Sequence, residues 1–511
     1  MNVETHDELL LLYRSLSRTE KRYLRLYVAK QGIEDHKNIL DALFRHGETT
    51  GPFSDYLEQH FPHPKKRSKL RRRLYESMLD ALVEYESQHS PDLQLQQILA
   101  HARVLLARGL HGPLEKMIRK GLKLARHYDR KWALAHLADL QANMQKLFRL
   151  SPKNKTLGDS AFQGAYLAAE DYAKLQKLAY EDAIVIMMFN QEGGVGEKET
   201  SLFEHMRENA ETAIRAGGFV FPYYGHHLLA NLYLLRGDPL SMSGQWNAID
   251  ALFQEQPQMI QGLEASYYRM LHFQTLMGIS LLKKEEARQT LNRLGDAKPA
   301  RHHLQSSWFQ MYFSALGQFA QNIGETAALR QYIEEYPAGY KNHRDHLELV
   351  YVLLMEMLMA VCHFILEEYT QTLRWIHRFL HNEQAGITKK STEILSILRL
   401  CVYVEMEDWE SLGDMLEKTR TLLGNKLVFP RFWAICDRYF SALVQDPSAA
   451  NRGASLDVFV RECHELFAHP EEHNVIAHFD FRTWGKAKQQ GISMQEGIKQ
   501  KFSVDGGSGS T

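Results

Sequence analysis

One local pattern recurs along most of the chain: a short polar or glycine-containing turn between two stretches with helical periodicity. Successive turns are roughly 40 to 46 residues apart. A single pair of helices cannot bury its apolar face alone, so this period is typical of helical hairpins stacked into a solenoid. The sequence therefore predicts an all-α solenoid of antiparallel hairpins with helical caps. Turns are expected near Gly109, Lys153, Gly194, Gly237, Lys283, Gly324, Glu367, Glu407 and Asp446.

The composition agrees with a folded helical chain. Sustained alternation of apolar and polar residues is nearly absent, and no Asn-Gly pair lies between apolar runs, so strands are not expected. Hydrophobic residues make up 44% and charged residues 24% of the 511 positions, which excludes a disordered or collagen-like chain. A chain of this length can form three domains or one long array, and the periodicity favours the array.

The two ends of the chain are expected to close the array. Ser17 and Glu20 have the spacing of a capping box and predict a helix start. Near the other end, Phe479, Phe481 and Trp484 are the expected apolar anchors of a cap over the last hairpin. The predicted parts are an N-terminal helical cap with a basic helix at 1–90, the hairpin solenoid at 91–470, a C-terminal helical cap at 471–503 and a flexible Gly/Ser tail at 504–511.

Three of the turns also resemble a known repeat. The residues concerned are Leu229, Tyr233, Gly237, Asp238, Leu366, Glu367, Glu368, Tyr369, Glu407, Asp408 and Trp409. They resemble the first helix and the turn of a tetratricopeptide repeat, and this resemblance implies the hairpin-solenoid fold without locating a peptide site. The segments Ser15–Tyr23 and His478–Trp484 resemble the ends of uncharacterised helical proteins of Bacteroidetes-type bacteria, which implies a bacterial cytoplasmic protein.

Membrane insertion and export are not expected. The most apolar stretch, Leu347–Leu366, carries Glu348, Glu356 and His363 on one narrow stripe, which favours a helix buried in the array. The acidic start Met1–Leu12 differs from the basic start of a secretory signal. Four widely spaced cysteines do not form a disulfide framework, which indicates a reducing compartment. We therefore predict a cytoplasmic protein with no membrane partner.

Two histidine pairs come close to known zinc-binding spacings without matching them. His464 and His469 are five residues apart, so they do not share a helix face as the histidines of a zinc protease do. His343 and His346 supply only two of the three or four ligands that zinc needs. We expect no catalytic residue, no metal and no cofactor. An enzyme with a site assembled between repeats is the least favoured alternative.

Histidines are numerous, at 25 of 511 residues, and include the adjacent pairs His226–His227 and His302–His303. Neighbouring residues on a helix point about 100° apart, so an adjacent pair chelates poorly unless another helix contributes a ligand. We expect these pairs as polar groups at helix packing seams. The alternative is pH-dependent binding of a partner.

Charge is distributed unevenly, although the net charge is only −1. Residues 1–64 carry −2, residues 65–155 carry +12 with 20 basic and 8 acidic side chains, and the rest of the chain carries −11. Two helical segments concentrate the positive charge. The candidate binding residues are Lys65, Lys66, Arg67, Lys69, Arg71, Arg72, Arg73, Arg119, Lys123, Arg126 and Arg130.

These cations admit three interpretations, which are an acidic protein partner or second copy, nucleic acid, and an ordinary charged outer face without a specific function. A scaffold without catalytic activity, binding a protein or peptide, is favoured, since stacked hairpins create long binding surfaces and no catalytic signature is visible. The basic faces would then meet an acidic partner or the acidic part of a second copy. Nucleic-acid binding through residues 65–130 is the alternative, because cations in consecutive helices can follow a phosphate backbone. No zinc finger, base-stacking motif or recognition helix supports it further.

Overall fold

The structure is a computed structural model that describes residues 8–47, 50–147, 155–190, 197–343, 346–381, 389–424, 427–466, 475 and 478–504. Within these ranges every regular element is a helix and no strand occurs, which confirms the all-α prediction. The predicted turns at Lys153 and Gly194 and the Gly/Ser tail beyond Val504 lie outside the described residues.

The first five helices share one hydrophobic core, which extends from Leu9 to Ala81. Ser17 and Glu20 form the predicted capping box, with each side chain accepting a backbone N–H of the other residue. Helix α5 contacts α1, α2 and α3 and is the longest of the five. The helices are α1 (Glu8–Ser15), α2 (Arg18–Gln31), α3 (Glu34–His46), α4 (Thr50–His60) and α5 (Pro64–Glu86).

The next seven helices begin the array. Each of these helices contacts the next one along the chain, and these contacts build antiparallel hairpins. The helices are α6 (Pro91–Ala107), α7 (His111–His127), α8 (Lys131–Leu147), α9 (Lys155–Asn190), α10 (Glu197–Arg215), α11 (Val220–Arg236) and α12 (Pro239–Glu255), followed by a short 3-10 helix (Pro257–Ile260).

The remaining twelve helices continue the same arrangement around one large core, which runs from Phe219 to Ile498. They are α13 (Glu264–Ser280), α14 (Lys284–Asp296), α15 (His302–Ile323), α16 (Thr326–His343), α17 (Leu349–Ile365), α18 (Tyr369–Leu380), α19 (Lys389–Glu405), α20 (Trp409–Leu423), α21 (Pro430–Gln445), α22 (Ala449–Leu466), α23 (Phe481–Gln490) and α24 (Met494–Val504).

The hairpin turns lie where the sequence period predicts them. Gly109, Gly237 and Gly324 adopt positive φ angles between 66° and 69° at the ends of α6, α11 and α15. Leu282, Glu367 and Glu407 adopt the same left-handed conformation, which side chains with a Cβ atom rarely enter. The predicted turns near Lys283 and Asp446 are also confirmed.

The first helices of successive hairpins pack against one another. Helix α6 contacts α8, α13 contacts α15, and α15 and α19 both contact α17. Because these helices start at equivalent points of each hairpin, the array has two long edges. We call the edge where the first helices begin the starting edge, and the edge formed by the hairpin turns the turn edge. First helices begin at Pro91, Lys131, Val220, Glu264, His302, Leu349, Lys389 and Pro430.

Two helices of the array are unusual. Helix α9 has 36 residues, about 54 Å at 1.5 Å per residue, and contacts both α8 and α11. Helix α17 is almost entirely buried from Val352 onwards, as expected for most of Leu347–Leu366. Its Glu356 is 2% exposed and pairs with Arg378 of α18 at 2.9 Å. Among the described helices, none combines the length and apolar composition needed to cross a lipid bilayer.

Candidate basic interface

The cations at the start of α5 are partly neutralised by neighbouring helices. Lys66 lies 3.5 Å from Asp35 of α3, and Arg67 lies 3.4 Å from Glu58 of α4. Arg72 pairs with Glu76 on its own helix at 2.9 Å. Arg71 is half-buried and interacts within the fold. The remaining three cations, Lys65, Lys69 and Arg73, are exposed and form no ion pair within the described part of the chain.

Helix α7 presents a more continuous basic face. Its buried side packs tightly, because a Cβ atom on Gly121 would lie 2.9 Å from Ile98 of α6 and from Leu137 of α8. Its opposite side is exposed and carries five cations over about 15 Å of helix. Arg119 pairs with Glu115 at 2.7 Å, and the other four pair with no described residue. The five are Lys116, Arg119, Lys120, Lys123 and Arg126, and we call them the α7 basic face.

Arg130 does not belong to this face, because its side chain is buried, although the sequence placed it among the exposed candidate binding residues. Helix α7 ends at His127, and Asp129 adopts a positive φ of 47°, so the helical spacing does not continue to Arg130. The Arg130 side chain is 8% exposed, and its Nε donates to both carboxylate oxygens of Asp92 at 3.1 Å. Its other nitrogens donate to the carbonyl oxygens of Tyr128 and Gly262.

The network around Arg130 joins distant parts of the array at the starting edge. Trp132 donates its Nε1–H to Asp92 at 3.1 Å. The Tyr128 hydroxyl donates to Gln261 at 2.8 Å, and Gln261 in turn donates to the His89 carbonyl at 2.7 Å. Residues separated by 130 to 170 positions therefore meet here, and Arg130 serves to hold the fold.

The two basic segments belong to different cores. Helix α5 packs into the core of α1–α4, whereas α7 packs against α6 and α8. Most of the predicted binding residues are exposed as expected, namely Lys65, Lys66, Lys69, Arg72, Arg73, Arg119, Lys123 and Arg126. The sequence did not reveal which of them have acidic partners, because Asp35 and Glu58 lie on other helices.

The C-terminal segment occupies part of the turn edge. Phe479 packs edge-on against Phe364 near the end of α17. Phe481 also reaches the start of α21, where the centroid of its ring lies 4.9 Å from that of Phe432. Trp484 donates its Nε1–H to Glu405 at the end of α19. This segment was expected to cover only the last hairpin. It extends further, because Gln495 of α24 donates to the carbonyl of Gly324 at the end of α15.

Of the paired histidines, His226, His227 and His303 contact side chains of other helices, as predicted, and the side chain of His302 lies outside the described residues. His226 contacts Gln245 of α12 at 2.8 Å, and His227 contacts Asp182 of α9 at 3.0 Å. His303 lies 3.4 Å from Glu86, the last residue of α5. Hydrogen bonding to Glu86 raises the pKa of His303, and the same contact lowers the pKa of the Glu86 carboxyl.

No reactive cysteine is present. Cys362, Cys401, Cys436 and Cys463 are free and buried, and burial raises the pKa of each thiol. Of the histidines considered as metal ligands, His343 contacts Ser306, and His469 lies outside the described residues. The described chain therefore offers no activated thiol nucleophile.

A cavity of about 440 Å³ lies between α14, α15 and α16. Its aromatic wall is formed by Trp308 and Tyr312, whose rings stack at 5.0 Å. The ammonium of Lys298 already lies 5.2 Å from the Trp308 ring. The chain's own lysine therefore occupies this aromatic surface.

Comparisons with known proteins do not identify a family for this chain. No protein-family description, curated protein or solved structure matches the chain. Any function must therefore be argued from the surfaces described above.

Proposed function

We propose that the chain is a noncatalytic scaffold that binds an acidic segment of a partner protein on the α7 basic face. The observation that carries this proposal is the arrangement of five exposed cations on one side of α7 with Glu115 as their only described acidic partner. Charges of one sign on a packed, regular helix attract a complementary partner and set its orientation.

The surroundings of α7 favour protein over nucleic acid. Proteins that bind single strands without sequence preference stack bases on exposed aromatic rings. Tyr128 and Trp132, the aromatic residues just after α7, are half-buried and hydrogen-bonded to Gln261 and Asp92. The basic face also spans only about 15 Å, which limits the number of phosphates in reach.

A tetratricopeptide-like relationship and a bacterial cytoplasmic setting belong to the same proposal, and both rest on sequence resemblance. The stacked hairpins of the fold support the first, because repeats of this kind commonly present binding surfaces. The C-terminal segment covers part of the turn edge. The second helices of the hairpins, such as α7, therefore offer the surface for a partner.

The test is fluorescence anisotropy with two labelled probes, a 16-residue peptide rich in glutamate and a 16-nucleotide single-stranded DNA. We expect the peptide to bind at 50 mM NaCl and to bind more weakly at 200 mM. The triple variant Lys116→Glu, Lys120→Glu, Lys123→Glu should lose affinity by about tenfold or more, since each exposed ion pair contributes up to about 1 kcal/mol.

The matched control makes the same charge change on α5, with Lys65→Glu, Lys69→Glu and Arg73→Glu. It should bind the peptide within about threefold of the wild type if α7 is the binding face. Equal losses in both triple variants would mean that only the overall charge matters. Binding of DNA in place of the peptide would support the nucleic-acid alternative, and binding of neither probe would refute both.

A further inference from the structure

Three metal-binding side chains from distant parts of the sequence meet where α2, α5 and α15 come together. They are Glu20, Glu86 and His303, and one ligand atom from each lies within 4.8 Å of the other two. Among the described residues, this is the one group of three or more histidine, cysteine or carboxylate side chains placed in this way. The group lies outside the α7 basic face and plays no part in the proposed partner binding.

The spacing within the group is long for a charge-assisted hydrogen bond and also suits two ligands of one metal ion. His303 Nδ1 lies 3.4 Å from a Glu86 oxygen, whereas charge-assisted hydrogen bonds usually measure about 2.7 to 2.9 Å. Ligands about 2.1 Å from a tetrahedral zinc ion lie about 3.4 Å from one another. The third ligand needs a movement of at most about 1.5 Å to reach the same sphere, since all three atoms lie within 4.8 Å of one another.

The charge balance also favours a cation. Glu20 is 8% exposed and the Glu86 side chain 18% exposed, so two carboxylates face a single imidazole in a poorly solvated seam. Arg301 and His89 are the other charged or titratable groups that act on Glu86, and Arg301 is paired with Glu264. A divalent ion would balance the two carboxylates and hold them together.

The existing contacts of Glu20 leave it able to act as a ligand. One of its oxygens accepts the Ser17 N–H at 2.7 Å in the capping box. A carboxylate has about four lone-pair sites on its two oxygens, so this bond does not exhaust it. A hydrogen bond that fixes a carboxylate is also the usual arrangement for a metal ligand.

We propose that Glu20, Glu86 and His303 form a divalent-metal site, best suited to Zn²⁺, that fastens α2 and α5 to the start of α15. Two carboxylate oxygens and one imidazole nitrogen are ordinary zinc ligands. His303 is 45% exposed, so water can complete the coordination from the solvent side. The site links segments that are nearly 300 residues apart in the sequence, and it would stabilise the contact between the N-terminal helices and the array.

The test is isothermal titration of the full-length, EDTA-treated protein with ZnCl₂ at pH 7.5. We expect one equivalent to bind in the wild type. Glu86→Gln and His303→Gln should each weaken binding by about 100-fold or more, because the loss of even an outer hydrogen-bond partner costs 10- to 100-fold. The control Glu115→Gln with His127→Gln, on exposed positions of α7, should bind as the wild type does.

Thermal unfolding separates a metal site from a simple ion pair. Zinc should raise the unfolding midpoint of the wild type at pH 7.5, and the gain should disappear at pH 5.5, because a protonated imidazole cannot bind a metal. The same gain should be absent from His303→Gln. Absence of zinc binding, equal affinity in the wild type and the two variants, or a gain that survives at pH 5.5 would each overturn the proposal.

Discussion

The two long edges of the array are closed by different chemistry. At the turn edge, aromatic side chains of the C-terminal segment cover the ends of α17 and α19, where Phe479 packs on Phe364 and the almost fully buried Trp484 donates to Glu405. At the starting edge, acidic side chains accept backbone N–H groups of the first helices. Asp129 accepts those of Phe219 and Val220 at 3.0 and 2.9 Å, and Arg130 ties the same turn to Gly262.

The difference follows from what each edge exposes. The start of a helix presents unpaired N–H groups, which carboxylates satisfy while favouring the helix dipole. Glu393 does this for α21, accepting from Val428 and Phe429 at 2.8 and 3.1 Å. Glycine and left-handed residues already close the ends of the first helices at the turn edge, so apolar packing can cover it. Substitutions at the two edges should therefore have different sizes and different local effects.

The largest effect is expected at the turn edge. Trp484→Ala removes a side chain that is 2% exposed, packs against Phe459 and donates to Glu405. We expect the free energy of unfolding to fall by about 3 to 5 kcal/mol, as for other buried aromatic residues. Urea denaturation measures the loss, and hydrogen exchange should accelerate in α19 and α21–α23 while α6–α8 stay protected.

The control for this variant is Tyr166→Ala, which removes an aromatic ring that is 69% exposed and should change the free energy of unfolding by less than about 0.5 kcal/mol. A loss below about 1 kcal/mol for Trp484→Ala would show that the C-terminal segment contributes little to the turn edge.

The next largest effect is expected at the starting edge, where a carboxylate accepts backbone N–H groups at a helix start. Glu393→Ala leaves the N–H groups of Val428 and Phe429 without their carboxylate at a buried helix start. We expect a loss of about 2 to 3 kcal/mol in the free energy of unfolding, since bonds to charged groups contribute about 1.5 to 3 kcal/mol. Faster hydrogen exchange at the start of α21 should accompany it. Glu410→Ala, at an exposed position of α20, is the control and should leave both measurements unchanged.

A somewhat smaller effect is expected for the network that joins distant repeats. Arg130→Met keeps the length of the side chain and removes its bonds to Asp92, Tyr128 and Gly262. Asp92 is 36% exposed, so water can replace part of the lost contact with Arg130. We therefore expect the free energy of unfolding to fall by about 2 kcal/mol. Arg126→Met, at an exposed position four residues earlier, should be neutral for stability. Equal stability of the two variants would contradict the role assigned to Arg130.

The smallest effect depends on pH. The hydrogen bond to Glu86 raises the pKa of His303 in the folded protein, so its contribution is complete below the ordinary histidine pKa and is lost as pH rises through the raised value. In EDTA, the wild type should exceed His303→Gln in stability at pH 5.5 by less than about 1 kcal/mol. The difference should vanish by pH 8.5 in urea denaturation. A difference that grows with pH would contradict this ion pair.

Local signals in the sequence accounted for much of this architecture. Glycines and polar residues at a regular period located the turns, and the Ser17–Glu20 spacing located a helix start. These features depend on neighbouring residues alone. Arg130 was misplaced for a related reason, since helical spacing was continued past His127, where Asp129 turns the chain.

Features that depend on distant residues were not predictable in this way. The aromatic residues of the C-terminal segment were recognised as buried, but the contacts that Phe479 makes with α17 and Gln495 makes with the end of α15 join residues far apart in the sequence. The same holds for the meeting of Glu20, Glu86 and His303, which no local period encodes. The α7 basic face was visible as a charge pattern, whereas the neutralisation of α5 depends on acids of α3 and α4.

The continuous helix α9 restricts how this array can change in evolution. Elsewhere a hairpin ends in a turn, where an inserted or deleted residue is absorbed locally. In α9 one inserted residue would rotate everything beyond it by about 100° and displace it by 1.5 Å. The contacts of α9 with α8 and with α11 could not both survive that change. Helices α8 and α11, which both pack on α9, are therefore constrained together, unlike helices that are joined by a turn.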